Sequence, residues 1–439
     1  MAKWLEKILS NIPNHNDDID TSGLTKLQAQ ALTAMAQGKN VFLTGGAGTG
    51  KSHVLKRFLK LREKGHFIVA CAPTGIAALN LEWGVTVHKA FSVPVGEIAD
   101  YRRITEAAFG PKSYVKRADT IVIDEISMCP IDVFDYAMAW LHEIEEERGR
   151  EFQIIVCGDF FQLPPVMSDG KIELLRNVYE DIESGFCFES HYWPELNFET
   201  YNLTEVIRQK DPELIEMLNR ARIGDTSCLD YFNNMVIDEF YEPGDDVVLS
   251  GRNNAVDKIN NERLGLIDSE AQTYNMQVYG DVPLSRVNFV DTLTLKVGAR
   301  VMAITNDNAE YAYVNGSIGT VTSLHDDHVS VRWDNGEKSD IYAEEIEVKE
   351  PSYRNGEFTA SIKGSYVQIP LKLCYAITIH KSQGQSIDRC VIFPNSFEKG
   401  QLYVAMSRCT NAEHLHFATP IKESDLRVSQ AVIDFYDSL

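Results

Sequence analysis

Two short segments carry groups suited to phosphate chemistry. "GGAGTGKS" (Gly45 to Ser52) fits G-x-x-x-x-G-K-[ST] in full, follows an apolar strand pattern and opens a helical one. Its glycines let successive backbone N–H groups close around phosphate oxygens, and the helix N-terminus adds partial positive charge. In that geometry Gly45, Gly46, Ala47, Gly48, Thr49 and Gly50 cradle a nucleotide, Lys51 reaches the β- and γ-phosphates, and Ser52 is a ligand for Mg²⁺. The second segment, "IVIDEIS", ends a strand pattern on Asp124 and Glu125. Asp124 is expected in the Mg²⁺ shell. Glu125 is expected to orient and activate the attacking water, which implies hydrolysis of ATP and argues against a simple kinase.

A third segment, "CGDFFQLPPV" (Cys157 to Val166), runs from an apolar strand into an amide held between two phenylalanines and two prolines. At the carboxyl edge of a sheet, Gln162 is placed to donate to the γ-phosphate or its water. The prolines fix φ and remove slack. The expectation is that this stiffness couples loss of the γ-phosphate to movement of Phe160 and Phe161, one of which faces a nucleic-acid groove. Gln28, upstream of the phosphate loop, reads either as an adenine-recognising amide or as a solvated helix glutamine. Arg208 in "LTEVIRQ" and Arg408 in "YVAMSRC" lie far downstream, in a region with no phosphate loop of its own. Such arginines suit transition-state fingers in a hinged ATPase. Thr74 in "APTGIAALN" and His88 in "TVHKAF" follow one strand pattern; Thr378, His380 and Lys381 in "AITIHKSQGQS" follow another. Their matching places suggest sequence-independent contacts to a single-stranded nucleic-acid backbone.

These residues need a scaffold of parallel strands. "NVFLTG", "FIVACAPT", "TIVIDE" and "FQIIVCGD" read as buried parallel strands separated by helical patterns. A second set, "ETYNLTEV", "DVVLSG", "LCYAITIH", "DRCVIF" and "HLHFAT", predicts a second α/β domain. Between residues 296 and 364 the pattern changes to period two with Asn315-Gly316 and Asn335-Gly336 turn signals, predicting a small antiparallel β barrel inserted in that domain. Residues 92–117, with several basic and aromatic side chains, read as an insertion in the first domain. Trp4, Ile8 and Ile12 fit one face of a short N-terminal helix.

The bulk numbers bound the rest. At 439 residues, two to four domains are expected. No run of about 18 apolar residues predicts a membrane span, and the first residues lack a signal-peptide core. Eight scattered cysteines without a C-x-x-C pair suggest a reducing intracellular compartment, the cytoplasm (with nucleoid association) for a bacterial source. A net charge of −22 runs against nucleic-acid binding unless positive charge is focused locally. It keeps open a P-loop ATPase that remodels protein. A binding protein with a dead ATPase core fits poorly with Lys51, Asp124, Glu125, Gln162 and two arginines all present, and no carboxylate cluster suggests a nuclease.

Taken in order, "GGAGTGKS", "APTGIAALN", "TVHKAF", "IVIDEISM", "CGDFFQLPPV", "LTEVIRQ", "TIHKSQGQS" and "GQLYVAMSR" resemble the PIF/RecD-like branch of superfamily-one helicases, and most of all the PIF family. The resemblance covers roughly Leu24 to Thr419. It implies an α/β fold of two RecA-like P-loop domains, the first from 1–91 and 118–196 and the second from 197–295 and 365–439. It also implies a wedge insertion at 92–117 and an SH3-like barrel at 296–364. The implied activity is ATP- and Mg²⁺-dependent 5′→3′ translocation on single-stranded DNA with unwinding of tailed duplex, and G-quadruplexes and RNA–DNA hybrids as further substrates. The expected state is a monomer, with dimers on DNA as the alternative. By motif, Lys51, Asp124, Glu125, Gln162, Arg208 and Arg408 become catalytic. Gln28 and Gly384 join the phosphate loop as nucleotide contacts, and Pro73, Thr74, His88, Phe161, Thr378, His380 and Lys381 become DNA contacts. Two features depart from the family pattern: the acidic run "EIEEERGRE" stands where basic residues are common, and "SRC" ends in cysteine.

Overall fold

The computed structural model describes residues 19–439 apart from 62–65, 95–98, 107, 108, 168, 180, 181, 239, 240, 242, 243, 245, 283–289, 306–311, 314, 355, 356 and 395–397. The N-terminal helix face expected from Trp4, Ile8 and Ile12 lies outside the described residues, as do parts of the 92–117 insertion. The chain forms two compact units. Unit 1 comprises Met1–Ile207, Glu350–Ser361 and Val428–Leu439; unit 2 comprises Arg208–Lys349 and Ile362–Arg427.

Unit 1 is built on six strands: β1 (Val41–Gly45), β2 (Ile68–Ala72), β3 (Val85–Thr86), β4 (Thr120–Ile123), β5 (Gln153–Cys157) and β6 (Glu199–Leu203). They form one parallel sheet in the order β3-β2-β4-β5-β1-β6. Strands β1, β2, β4 and β5 are buried along their whole length. That is why they read as continuous apolar runs rather than alternating ones. Two apolar clusters cover the sheet. One contains Leu32, Leu43, Val54 and Phe58. The other contains Phe42, Ile123, Phe134, Phe160 and Trp193.

Two boundaries differ from the sequence reading. "ETYNL" was expected in the second α/β domain, beginning at 197, but β6 pairs with β1 from Val41↔Glu199 to Gly45↔Leu203. Its pattern of partly exposed residues is that of a sheet edge, so apolar texture alone did not tie it to the first sheet. The C-terminal helix Gln430–Asp437 was also expected in the second domain. Val428–Leu439 belongs to unit 1, where Val432, Ile433, Phe435 and Tyr436 join the Phe160 cluster.

In the 92–117 insertion, Tyr114 and Val115 are buried in the same cluster. The Ala99 N–H donates to Asp132 Oδ2 on the helix Ile131–Arg148 at 3.2 Å. Asp132 also pairs with Lys171 at 3.1 Å. The acidic run "EIEEER" occupies the last turns of this helix, and its Glu145 accepts from the Phe152 N–H.

Unit 2 holds a four-stranded parallel sheet in the order Ala376–Thr378, Val247–Ser250, Cys390–Ile392, Leu415–Phe417. Its second component is a five-stranded antiparallel sheet in the order Lys338–Tyr342, His328–Trp333, Ile318–Leu324, Arg300–Ala303, Leu371–Leu373. The side chains of Leu295, Val301, Val321, Val331, Trp333 and Leu371 fill its core. The sequence placed this element at 296–364; the sheet takes its last strand from Leu371–Leu373, and the ribbon of Ala271–Asn275 with Thr292–Lys296 packs into the same core. Both signalled turns place glycine at positive φ, +95° at Gly316 and +94° at Gly336. All eight cysteines are buried and unbridged. No helix among the described residues is long and apolar enough to cross a membrane.

Candidate functional site

The phosphate loop leaves the carboxyl end of β1 and turns into the helix Lys51–Leu59. Two of its glycines are obligatory. Gly45 has φ +139°, and a Cβ there would lie 2.3 Å from the Leu203 carbonyl oxygen of β6. Gly50, the helix N-cap, has φ +85°, and its Cβ would meet Gln28 Nε2 at 2.5 Å. The Thr49 hydroxyl donates to the Gly46 carbonyl at 2.9 Å, and the Ile207 N–H to the Gly48 carbonyl at 2.8 Å. Lys51 Nζ folds back over the loop, donating to the Gly45 and Gly46 carbonyls at 2.8 and 3.1 Å. Those carbonyls hold the ammonium beside the cradle a phosphate would fill. Ser52 is exposed on the first helical turn.

Gln28 is buried, not solvated. Its Oε1 accepts from the Thr25 N–H, closing a capping box at the start of the helix Lys26–Ala36. Its Nε2 donates to the Thr49 carbonyl at 2.9 Å. One amide thus ties that helix to the phosphate loop. Beside it opens a cavity of about 170 Å³ lined by Thr25, Leu27, Thr49, Leu203 and Glu205.

Asp124 and Glu125 follow β4, whose neighbours in the sheet are β2 and β5. Asp124 Oδ1 accepts from the Glu125 N–H at 2.9 Å. Burial pushes its carboxyl above the usual carboxylate range; the bond from Glu125, the Cys157 thiol and the charge of Lys51 act in the other direction. A buried carboxylate with so few donors is costly to ionise until a cation meets it. Glu125 has φ +51°, a left-handed conformation rare for a residue with a side chain. Such strain marks positions where the direction of a side chain matters. No group of three or more metal-ligating side chains exists among the described residues. The donor set, one carboxylate and one hydroxyl beside a phosphate cradle, fits Mg²⁺, which takes most of its ligands from water and phosphate.

The Gln162 loop leaves β5 at Gly158, whose N–H donates to the Leu43 carbonyl of β1 at 3.1 Å. The Asp159 carboxylate organises the turn, accepting from the Phe161 N–H at 3.2 Å and from Gln162 Nε2 at 3.4 Å. Gln162 is buried. The expectation that one of the two phenylalanines faces a groove is corrected here. Phe160 is 1% exposed among Phe42, Phe186, Phe188, Trp193 and Phe435. Phe161 is 5% exposed, its ring 4.9 Å from that of Tyr436. Both are core residues, because the C-terminal helix covers a face that the local sequence leaves open.

In unit 2, Arg208 and Arg408, 200 positions apart, converge on Ser407. The Ser407 carbonyl accepts from Arg208 Nη1 at 3.2 Å and Gln209 Nε2 at 3.0 Å. Gln209 Nε2 also reaches the Cys409 carbonyl at 2.9 Å. Arg408 is buried, donating from Nε to the Val404 carbonyl and from Nη2 to the Ser407 hydroxyl, each at 2.9 Å. Gln209 was not singled out in the sequence, although it adjoins Arg208.

The expected nucleic-acid contacts lie at strand ends of each unit. Thr74 follows β2 and the half-buried Pro73, and caps the helix Gly75–Leu79 by accepting from the Ala77 N–H at 3.2 Å. Thr378 accepts from the Lys381 N–H at 3.3 Å in the corresponding way. His380 Nε2 lies 3.1 Å from Glu398 Oε2, and Lys381 and Gly384 are exposed. Burial holds His88 below the ordinary histidine value, with Asp132 and Lys171 acting in opposite directions. At neutral pH it is therefore a neutral hydrogen-bonding group and not a cation.

Comparison with known proteins places this architecture. A family model described as PIF1-like helicase matches residues 23–230. The chain is 32% identical over 434 residues to the ATP-dependent DNA helicase Pif1 of Campylobacter jejuni, an alignment covering 90% of this chain and 94% of that protein. Among solved structures, Bacteroides sp Pif1 in complex with ADP-AlF4 matches with a TM-score of 0.84 at 32% identity, covering 94% of this chain and 96% of that one. Bacteroides Pif1 bound to ssDNA matches with a TM-score of 0.66 at 32% identity over the same shares.

Proposed function

The chain belongs to the PIF1-like helicase family, and from that premise we propose that it is an ATP-dependent DNA helicase that tracks along single-stranded DNA in the 5′→3′ direction. The observation that carries the reading is the phosphate loop, with Lys51 held on its Gly45 and Gly46 carbonyls and the charge of Lys51 acting on the buried Asp124. A magnesium ion bound with the nucleotide would neutralise charge across the β- and γ-phosphates, held by Ser52 and Asp124. Lys51 exchanges its loop carbonyls for phosphate oxygens. Glu125 orients the attacking water, and Gln162 donates to the γ-phosphate. Arg208 and Arg408, drawn together on Ser407, supply cations to the transition state. Gln28 and Gly384 contact the nucleotide, with the base in the cavity lined by Thr25 and Leu27.

On the nucleic-acid side, Pro73, Thr74, His88, Thr378, His380 and Lys381 offer hydroxyl, imidazole, backbone and a single lysine charge. Contacts of that kind carry no base identity. They also suit a chain with a net charge of −22, since few phosphates need be met by cations. Phe161 is left out of this set because its ring is buried on Tyr436.

Strand displacement tests the direction. Duplex with a 5′ single-stranded tail is expected to be separated in an ATP-dependent reaction, and duplex with a 3′ tail to be left intact. Quadruplex DNA and RNA–DNA hybrids behind a 5′ tail are expected to be opened as well. Displacement from the 3′-tailed substrate alone would reverse the assigned polarity.

A further inference from the structure

The C-terminal helix Gln430–Asp437 follows unit 2 in the chain, belongs to unit 1 and packs a partly buried aromatic pair there. Phe435 stacks on Phe188 with centroids 4.3 Å apart and planes 10° apart, and meets Phe42, Phe160 and Trp193 at tilted or edge-on angles. Packing of this kind is worth about 0.5–1.5 kcal/mol per aromatic pair beyond burial and needs no hydroxyl. Tyr436 differs. Its ring lies on Phe161, while its hydroxyl forms a hydrogen bond with the Thr44 hydroxyl and accepts from the Phe160 N–H at 3.4 Å.

Those two partners sit at the exits of adjacent strands. Thr44 precedes Gly45, where β1 becomes the phosphate loop, and Phe160 lies two residues before Gln162, where β5 becomes the glutamine loop. The strands are in register from Val41↔Ile155 to Leu43↔Cys157, and the Gly158 N–H carries the ladder one step further by donating to the Leu43 carbonyl. One phenol therefore spans the gap through which the two loops diverge. Thr44 is fully buried, so its hydroxyl needs this partner.

We infer that Tyr436 is a positioning residue for ATP hydrolysis: its hydroxyl locks the glutamine loop to the root of the phosphate loop and so sets Gln162 relative to the γ-phosphate. This rests on the reading of Gln162 given above. It assigns the last helix of the chain, which carries none of the recognised motifs, a part in turnover. The lock acts on geometry in the transition state and leaves the nucleotide's own contacts in place. Its loss is expected in kcat more than in KM.

The test is Tyr436→Phe in the full chain, which keeps the ring on Phe161 and removes only the bridging oxygen. DNA-stimulated kcat is expected to fall about tenfold, with KM for ATP within about twofold and a melting temperature lowered by only a few degrees, the cost of leaving the Thr44 hydroxyl without its partner. Thr44→Val is expected to reproduce the fall, and the double variant to be no worse than either single one, since both break the same bridge. Adding Tyr436→Phe to Gln162→Ala is expected to change nothing further, because the lock acts through Gln162. A wild-type kcat in folded Tyr436→Phe, or a further tenfold loss in the Gln162→Ala background, would overturn the inference while leaving the role of Gln162 intact. Wild-type turnover by Gln162→Ala alone would instead remove the reading on which the inference stands, and the inference with it.

Discussion

Lys51→Ala is expected to lower DNA-stimulated ATP turnover on the order of 10³-fold, the scale lost when a fixed donor to developing transition-state charge is removed from a closed site. The side chain holds no structural post that would confuse the result. Among the described residues its ammonium hydrogen-bonds to the Gly45 and Gly46 carbonyls of the loop itself. Alanine is also the best helix former for the first position of Lys51–Leu59. Melting temperature is therefore expected to stay close to wild type while turnover collapses. Normal turnover by a folded Lys51→Ala protein would refute the phosphate-site assignment.

The second large effect is at Glu125. Glu125→Gln retains size and one acceptor oxygen but removes the carboxylate proposed as the base, and kcat is expected to fall about 10³-fold, within the 10²- to 10⁴-fold range of general-base catalysis. Nucleotide affinity, measured by equilibrium titration with a fluorescent ATP analogue, is expected to change little. Conformation contributes to this effect as well as chemistry. Glu125 is held at φ +51° directly after Asp124, whose Oδ1 accepts from the Glu125 N–H. That bond fixes the peptide between them, so the two carboxylates leave β4 in set directions. An equal loss of affinity and kcat would point to a binding role instead.

Much of unit 1 was legible because its signals are local. The phosphate loop, the Asp124-Glu125 pair and four of the strands announce themselves within windows of ten residues, and parallel strands buried on both faces leave apolar runs that are hard to misread. The two Asn-Gly turns of unit 2 were legible for the same reason, since positive φ at glycine is a property of the turn itself. What escaped depends on partners far along the chain. Strand β6 reads as part of the second α/β domain until Leu203 is seen against Gly45. Phe161 reads as a candidate DNA contact until Tyr436, 275 positions later, is seen to cover it. Gln28 offered two readings, an adenine reader or a solvated helix residue. The structure shows its amide buried and engaged at both ends, with Thr25 and Thr49. In unit 2 the convergence of Arg208, Gln209 and Arg408 on Ser407 could not be read from spacing, because Arg208 and Gln209 meet its backbone carbonyl, a group every residue possesses, and only Arg408 meets its hydroxyl.

The charge of the chain gives the account its sharpest exposure. A protein with a net charge of −22 has to earn its place on DNA through local contacts, whereas an ATPase that remodels protein needs none. Steady-state ATP hydrolysis by the wild-type chain, measured with and without single-stranded DNA at one fixed salt concentration, separates the two. Strong stimulation by single-stranded DNA, absent in Lys51→Ala, is the result predicted for a DNA-tracking motor; a turnover that single-stranded DNA leaves unchanged would contradict it.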